Sequence, residues 1–328
     1  RYHPITWDEA CQSVRALSAY FLHVGITARD RIVILSENRP EWGMTDLAIQ
    51  AVGGWTVPLY PSLMEHDIHQ IFQDCEPVLC VASSGEQARK LRALQAQCPS
   101  IRGVLVMDST PLQQPFEQAW LQAVGQGRSL LLQLQEPAQQ RLQELHSTDT
   151  ATLIYTSGTT GEPKGVMLSH ENFLSNVKAC LKAIPIGAND RHLSFLPLSH
   201  VFERMAGWYL MMSVGASVAY AENMETVPHN MLEVRPTIML GVPRFFEKLY
   251  TRIQEGLRQA PPLKRRIMEW ALAVGQRSMA YRLTRRRLPL GLWLQEALAS
   301  RLVFRKIQHR LGGRLRFFIS GSAPLAKT

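Results

Sequence analysis

The sequence predicts an α/β fold, with layered, mostly parallel sheets flanked by helices. Three observations point there. Short β-branched runs alternate with segments of helical spacing as far as Met107. Those runs are apolar throughout, as strands covered on both faces should be. The chain of 328 residues, 46% hydrophobic, can bury a large core without staples. This composition excludes a disordered, collagen-like or low-complexity chain, and the length suits about two packed units.

The elements follow in order. Thr6 and Glu9 have capping-box spacing, so a helix begins there and stops near Gly25. Strands are expected over 31–35, 57–60, 78–82 and 103–107. Helices are expected over 41–52, 65–73 and 86–97. From Thr110 to Ser147 the chain is Gln-rich with scattered Pro and Gly, and reads as a surface excursion with some helix. Thr152–Tyr155 is a strand running into a Gly/Thr-rich loop, and a helix starts around Ser169. Further strands are expected over 192–195, 217–220, 237–240 and 315–319. Between Pro261 and Leu311 lies a basic helical pair. Leu263, Ile267, Trp270 and Val274 there fall on one helical stripe.

Charge is concentrated in one region. The net charge is +9, yet residues 261–316 hold 14 Lys and Arg against only Glu269 and Glu296. That stretch is therefore +12 and the remainder −3. Such a surface suits an anionic membrane or a phosphorylated ligand, or is simply a solvated helix face. No recognition motif or aromatic interleaving accompanies the arginines, which argues against nucleic acid. Five scattered cysteines with no CxxC pair argue against a disulfide framework or structural zinc and suit a reducing compartment. No apolar run reaches the roughly 18 residues of a membrane helix. His66 and His69 share a helix face, but no further metal ligands accompany them. The expected location is the cytoplasm, with peripheral contact at a membrane surface through 261–316. The chain opens at Arg1 and reads as a fragment, incomplete at both ends.

Most chemical information lies in Tyr155-Thr156-Ser157-Gly158-Thr159-Thr160-Gly161-Glu162-Pro163-Lys164-Gly165. Glycines let the backbone approach an anion closely, and successive N–H groups make anion-binding concavities. The hydroxyls add donors, and Lys164 adds a point charge. This is a polyphosphate cradle by composition. It is not a Walker A loop, because Pro163 precedes Lys164, Gly165 follows it, and no helix starts there.

The string closely resembles the phosphate-loop signature of the acyl-adenylate-forming enzymes. Leu196-Pro197-Leu198-Ser199-His200-Val201-Phe202-Glu203-Arg204, Gly241-Val242-Pro243-Arg244 and Gly321-Ser322-Ala323-Pro324-Leu325 agree with that family in order and spacing. The combination is most similar to long-chain fatty-acid CoA ligases. The resemblance implies ATP, Mg²⁺ and coenzyme A, with a fatty acid converted to acyl-AMP and then to a thioester. It implies that Thr156, Ser157, Gly158, Thr159, Thr160, Gly161 and Lys164 cradle phosphates, with Thr156 or Thr159 near Mg²⁺ and no metal ligand set within the fragment. His200 and Lys164 are the expected catalytic groups, with His200 near the reacting carboxylate. Phe202, Gly241 and Val242 are expected along the acyl channel, and Gly321, Ser322 and Ala323 against adenine. The implied domain is an incomplete large N-terminal AMP-binding domain, with interleaved subdomains of roughly 41–185 and 1–40 plus 186–328. The small C-terminal domain is absent, and the fragment alone is expected to be inactive. Two alternatives stand beside this: adenylation of an aryl, short-chain or amino acid, and a non-catalytic basic scaffold at a membrane surface.

Overall fold

A computed structural model describes residues 2–157, 163–284 and 286–324. The chain divides into two units, residues 1–188 with 196–216, and residues 189–195 with 217–328.

The first unit is built on a seven-stranded sheet. α1 (Trp7–His23) begins as the sequence predicts. Thr6 Oγ1 accepts the Glu9 N–H at 3.1 Å, and Glu9 Oε2 accepts the Thr6 N–H at 2.7 Å. The strands are β1 (Arg31–Leu35), β2 (Trp55–Leu59), β3 (Leu79–Ala82), β4 (Gly103–Val106), β5 (Glu117–Ala119), β6 (Thr150–Ser157) and β7 (Pro163–Ser169). Their order is β5-β4-β3-β1-β2-β6-β7. Every pair is parallel except β6 with β7. Connections run through α2 (Pro40–Ala51), α3 (Glu65–Cys75), α4 (Gly85–Gln95), α5 (Trp120–Leu130) and α6 (Gln135–Glu144), with α7 (His170–Ala183) after β7. Central β1 shows why the strands read as unbroken apolar runs: Ile32, Val33, Ile34 and Leu35 are all wholly buried. Each such side chain contributes about 1.5–3 kcal/mol on burial.

Three expectations need correction here. The segment 110–147 is more than a surface excursion, since β5 extends the sheet and Trp120 at the start of α5 is buried. The apolar signal is missing because Glu117 is held by polar partners. It accepts the Gln113 N–H at 2.7 Å and pairs with Arg92 at 2.6 Å. β7 is a further strand, antiparallel and largely exposed, so its sequence carries no buried-strand pattern. Residues 1–40 lie in this first unit, because β1 pairs with both β2 and β3.

The second unit has a four-stranded parallel sheet in the order β11-β10-β8-β9. Its elements are β8 (Arg191–Ser194), β9 (Ser217–Tyr220), β10 (Ile238–Gly241) and β11 (Phe317–Ser320). Asp190 fastens three of these strands at one end. It accepts from Thr237 Oγ1 at 2.7 Å and pairs with Arg316 at 2.7 Å. After α8 (Leu210–Ser213) of the first unit come α9 (Val227–Val234), α10 (Pro243–Arg258), α11 (Pro262–Leu283), α12 (Leu290–Ala299) and α13 (Arg305–Arg310), with a π-helical turn at Ser300–Phe304. α11 and α12 share a small core of Ala271, Val274, Ala299 and Val303. Ile267 and Trp270 pack on it, whereas Leu263 is 73% exposed. The expected stripe is therefore one turn shorter, because the shared cluster ends at Ile267.

Candidate active site

The phosphate-loop string joins β6 to β7. Gly158, Thr159, Thr160, Gly161 and Glu162 lie outside the described residues. The two strands that hold them are described. Thr156 pairs in register with Lys164, and Tyr155 with Gly165. Directly opposed residues in an antiparallel pair share a face. Thr156 and Lys164, both exposed, thus stand together near the mouth of the loop. Ser157, opposite Pro163, is the last described residue before it. A strand follows the loop, so its anchorage differs from that of a Walker A loop.

Tyr155 secures this hairpin. Its hydroxyl donates to Asp74 at the end of α3. Burial raises its pKa, and the Asp74 hydrogen bond raises it further. A Cβ at Gly165 would lie 3.1 Å from the Tyr155 ring, so glycine lets the ring lie across β7. Beside Asp74, burial pushes the Cys75 thiol up to about 12, leaving it protonated and inert at neutral pH.

His200 sits in the same unit, on a turn where its N–H donates to Pro197 O at 3.0 Å. Asn38, just past β1, grips that turn with both ends of its amide. Nδ2 donates to Leu196 O at 2.6 Å, and Oδ1 accepts the Leu198 N–H at 2.9 Å. The half-buried His200 accepts the Phe202 N–H at Nδ1, at 3.1 Å. That bond occupies the Nδ1 lone pair and places the proton of the neutral ring on Nε2. Burial lowers the His200 pKa, with Glu203 acting in the opposite sense. The imidazole is therefore neutral at physiological pH. Phe202 is half-buried beside it.

The sequence leaves two readings open, an internal Glu203–Arg204 ion pair or a role for Glu203 near the site, and the structure gives Arg204 another partner. Arg204 is wholly buried and pairs with Asp46 of α2. Nη1 also donates to Thr152 Oγ1 of β6 at 2.7 Å. Thr152 in turn donates to Thr56 O, and Tyr209 donates to Asp46 at 2.6 Å. The guanidinium lies 5.5 Å from the Trp42 ring centroid and 5.3 Å from that of Phe173. Burial works against its charge, but Asp46 and Tyr209 together outweigh burial and hold its pKa above the ordinary value. This network ties the π-helical turn Glu203–Tyr209, which follows His200, to the strand that leads into the loop. Asn38, Asp46, Asp74 and Thr152 are missed by motif reasoning. The available signal was position alone, with Asn38 at a strand's carboxyl end, where α/β ligand sites gather.

In the second unit, Gly241 ends β10 and pairs in register with Ser320 of β11, and the Gly321 N–H donates to Gly241 O at 3.3 Å. The Gly241-Val242 and Gly321-Ser322-Ala323 segments thus meet at the carboxyl ends of adjacent strands. A Cβ on Gly241 would lie 2.7 Å from Phe246, inside an aromatic group of Phe195, Phe245, Phe246 and Phe318 with centroids 4.9–6.0 Å apart. Ser322 adopts φ +68°, a left-handed conformation uncommon for a non-glycine residue. Backbone strain of this kind concentrates at functional sites.

Comparison with known proteins is consistent across the chain. The AMP-binding enzyme family matches residues 1–328. A long-chain-fatty-acid–CoA ligase of Mycobacterium bovis is 34% identical over 98% of this chain and 52% of its own length. The peroxisomal long chain acyl-CoA synthetase 6 of Arabidopsis thaliana is 31% identical over 99% of this chain and 45% of its own. The chain thus spans about half the length of these curated relatives. Among solved structures, ATP-bound MatB from Rhodopseudomonas palustris superposes with a TM-score of 0.68 at 21% identity, over 97% of this chain and 50% of that one. At that identity the likeness is one of fold.

Proposed function

The chain belongs to the AMP-binding enzyme family, and we propose on that basis that the whole protein activates a long-chain fatty acid to its CoA thioester. The observation that carries the adenylation reading is the β6–β7 hairpin, which sets Thr156 against Lys164 where the Gly- and hydroxyl-rich string begins and ends. The long-chain reading is supported by relatives named for that activity in a bacterium and a plant.

In the first half-reaction a carboxylate oxygen attacks the α-phosphorus of ATP. The bond to the bridging oxygen breaks, pyrophosphate leaves and acyl-AMP forms. In the second, the coenzyme A sulfur attacks the acyl carbon, AMP leaves and the thiol proton passes to solvent. Bringing an anion to a polyanion is the physical difficulty, and positioned cations and N–H donors are the remedy. Thr156, Ser157, Gly158, Thr159, Thr160, Gly161 and Lys164 take the β- and γ-phosphates in this reading. His200, neutral and with Nε2–H as donor, orients the carboxylate without adding a fixed charge. Phe202, Gly241 and Val242 line the path of the acyl chain, and Gly321, Ser322 and Ala323 take the adenine.

Thr156 offers a hard oxygen suited to Mg²⁺. When bound with the phosphates, Mg²⁺ neutralises their charge. Among the described residues no group of three or more His, Cys, Asp or Glu is placed to hold a metal. Coenzyme A is the co-substrate of the second step.

The test is acid-dependent ATP–pyrophosphate exchange by the full-length protein with palmitate, acetate and benzoate. Exchange driven by palmitate is expected. Exchange driven only by another acid would retain adenylation and discard the long chain.

A further inference from the structure

We infer that α12 and its flanks form a docking surface for an anionic lipid bilayer. One side of α12 packs on α11 through Ala299, with Val303 of the following turn, both at most 6% exposed. The other side carries Leu290, Trp293, Leu294 and Leu298, which are 50–74% exposed. Leu290, Leu294 and Leu298 recur at i, i+4 and i+8, so they form one continuous stripe along the helix. Among the described residues nothing buries this stripe. Soluble monomers rarely leave a contiguous apolar patch in water without a partner.

The charge around the stripe identifies that partner. Arg286 and Arg287 precede α12, while Arg301, Arg305 and Lys306 follow it, and all five are exposed. Only two acids occur between 261 and 316, and Glu296 is already engaged by Arg282 at 2.6 Å. Leucines and a tryptophan along one face, with cations at both ends, make a helix that lies in a bilayer interface. Tryptophan settles at headgroup depth. Each Lys or Arg near an anionic leaflet strengthens attachment, and several together suffice for reversible binding. A nucleic acid would leave the leucine stripe without a role. No described helix is long and apolar enough to cross a membrane.

The experiment is co-sedimentation of the full-length protein with phosphatidylcholine vesicles, with and without phosphatidylglycerol. Vesicle binding is read without turnover, so failure of this surface and failure of the adenylation reading are separate results. Binding about tenfold tighter to the anionic vesicles is expected, weakening as salt rises. Arg301→Glu with Arg305→Glu should remove most of that preference, at an unchanged thermal midpoint. Leu294→Ser with Leu298→Ser should lower binding to both vesicle types about tenfold. If the leucine variant does not fold, quenching of the parent's tryptophan fluorescence by brominated lipid supplies the second reading. That quenching should fall in Trp293→Phe. Equal binding to both vesicle types, or variants that bind as the parent does, would overturn the surface. So would a lowered midpoint in the leucine variant with binding intact, because the stripe would then be covered by protein.

Discussion

Arg204 and Arg301 place the same guanidinium in opposite surroundings. Arg204, in the first unit, has no solvent exposure and is enclosed by Asp46, Thr152, Trp42 and Phe173. Arg301, in the second, is exposed beside a leucine stripe. A buried charge is tolerated only when paired and hydrogen-bonded, and it then fixes its neighbours in one arrangement. An exposed charge fixes little and remains available to another surface. The first arrangement suits holding the His200 turn and the loop strand; the second suits reversible attachment.

The largest expected effect breaks the buried side of this contrast. Arg204→Ala leaves Asp46 buried without its ion-pair partner and should cost about 3–5 kcal/mol in urea unfolding. Arg204→Met with Asp46→Asn should cost less than the single change, because no unpaired charge remains. Lys164→Ala probes an exposed cation that we propose holds phosphate. Acid-dependent pyrophosphate exchange should fall about 100-fold, roughly 2.7 kcal/mol of barrier, with unfolding unchanged. Gly241→Ala would drive a methyl into Phe246, and should cost about 1–3 kcal/mol in the second unit.

A pH titration sharpens the same comparison. Burial lowers the pKa of both His200 and His170 from 6.5. Between the folded and unfolded values, the unfolded chain holds protons that the folded chain does not. Stability contributed by the neutral rings is therefore full above 6.5 and declines as pH falls below it. Urea unfolding across that window should show the decline, and His200→Gln should reduce it. The smallest effect belongs to the exposed side: Arg301→Glu should change unfolding by less than about 0.5 kcal/mol.

The strands from β1 to β4 were readable because they are buried beyond their first residues and nearly all their buried positions are apolar, Thr56 being the exception. The α1 start was readable because capping is local chemistry. β5 and β7 were hidden for a shared reason: each lies at an edge of its sheet, where polar contacts or solvent replace apolar burial. At the site, the loop and His200 could be picked out because their residues are contiguous. The supports could not. Asn38 lies 158 positions before Leu196, and Asp46 158 before Arg204. Local patterns carry no information across that separation, and only the folded sheet joins such residues.

The most direct measurement is palmitate-dependent ATP–pyrophosphate exchange in the full-length protein, beside Lys164→Ala. The account predicts exchange that requires palmitate and drops about 100-fold in the variant. A folded protein that exchanges with no acid, or a variant that exchanges as fast as the parent, would contradict it.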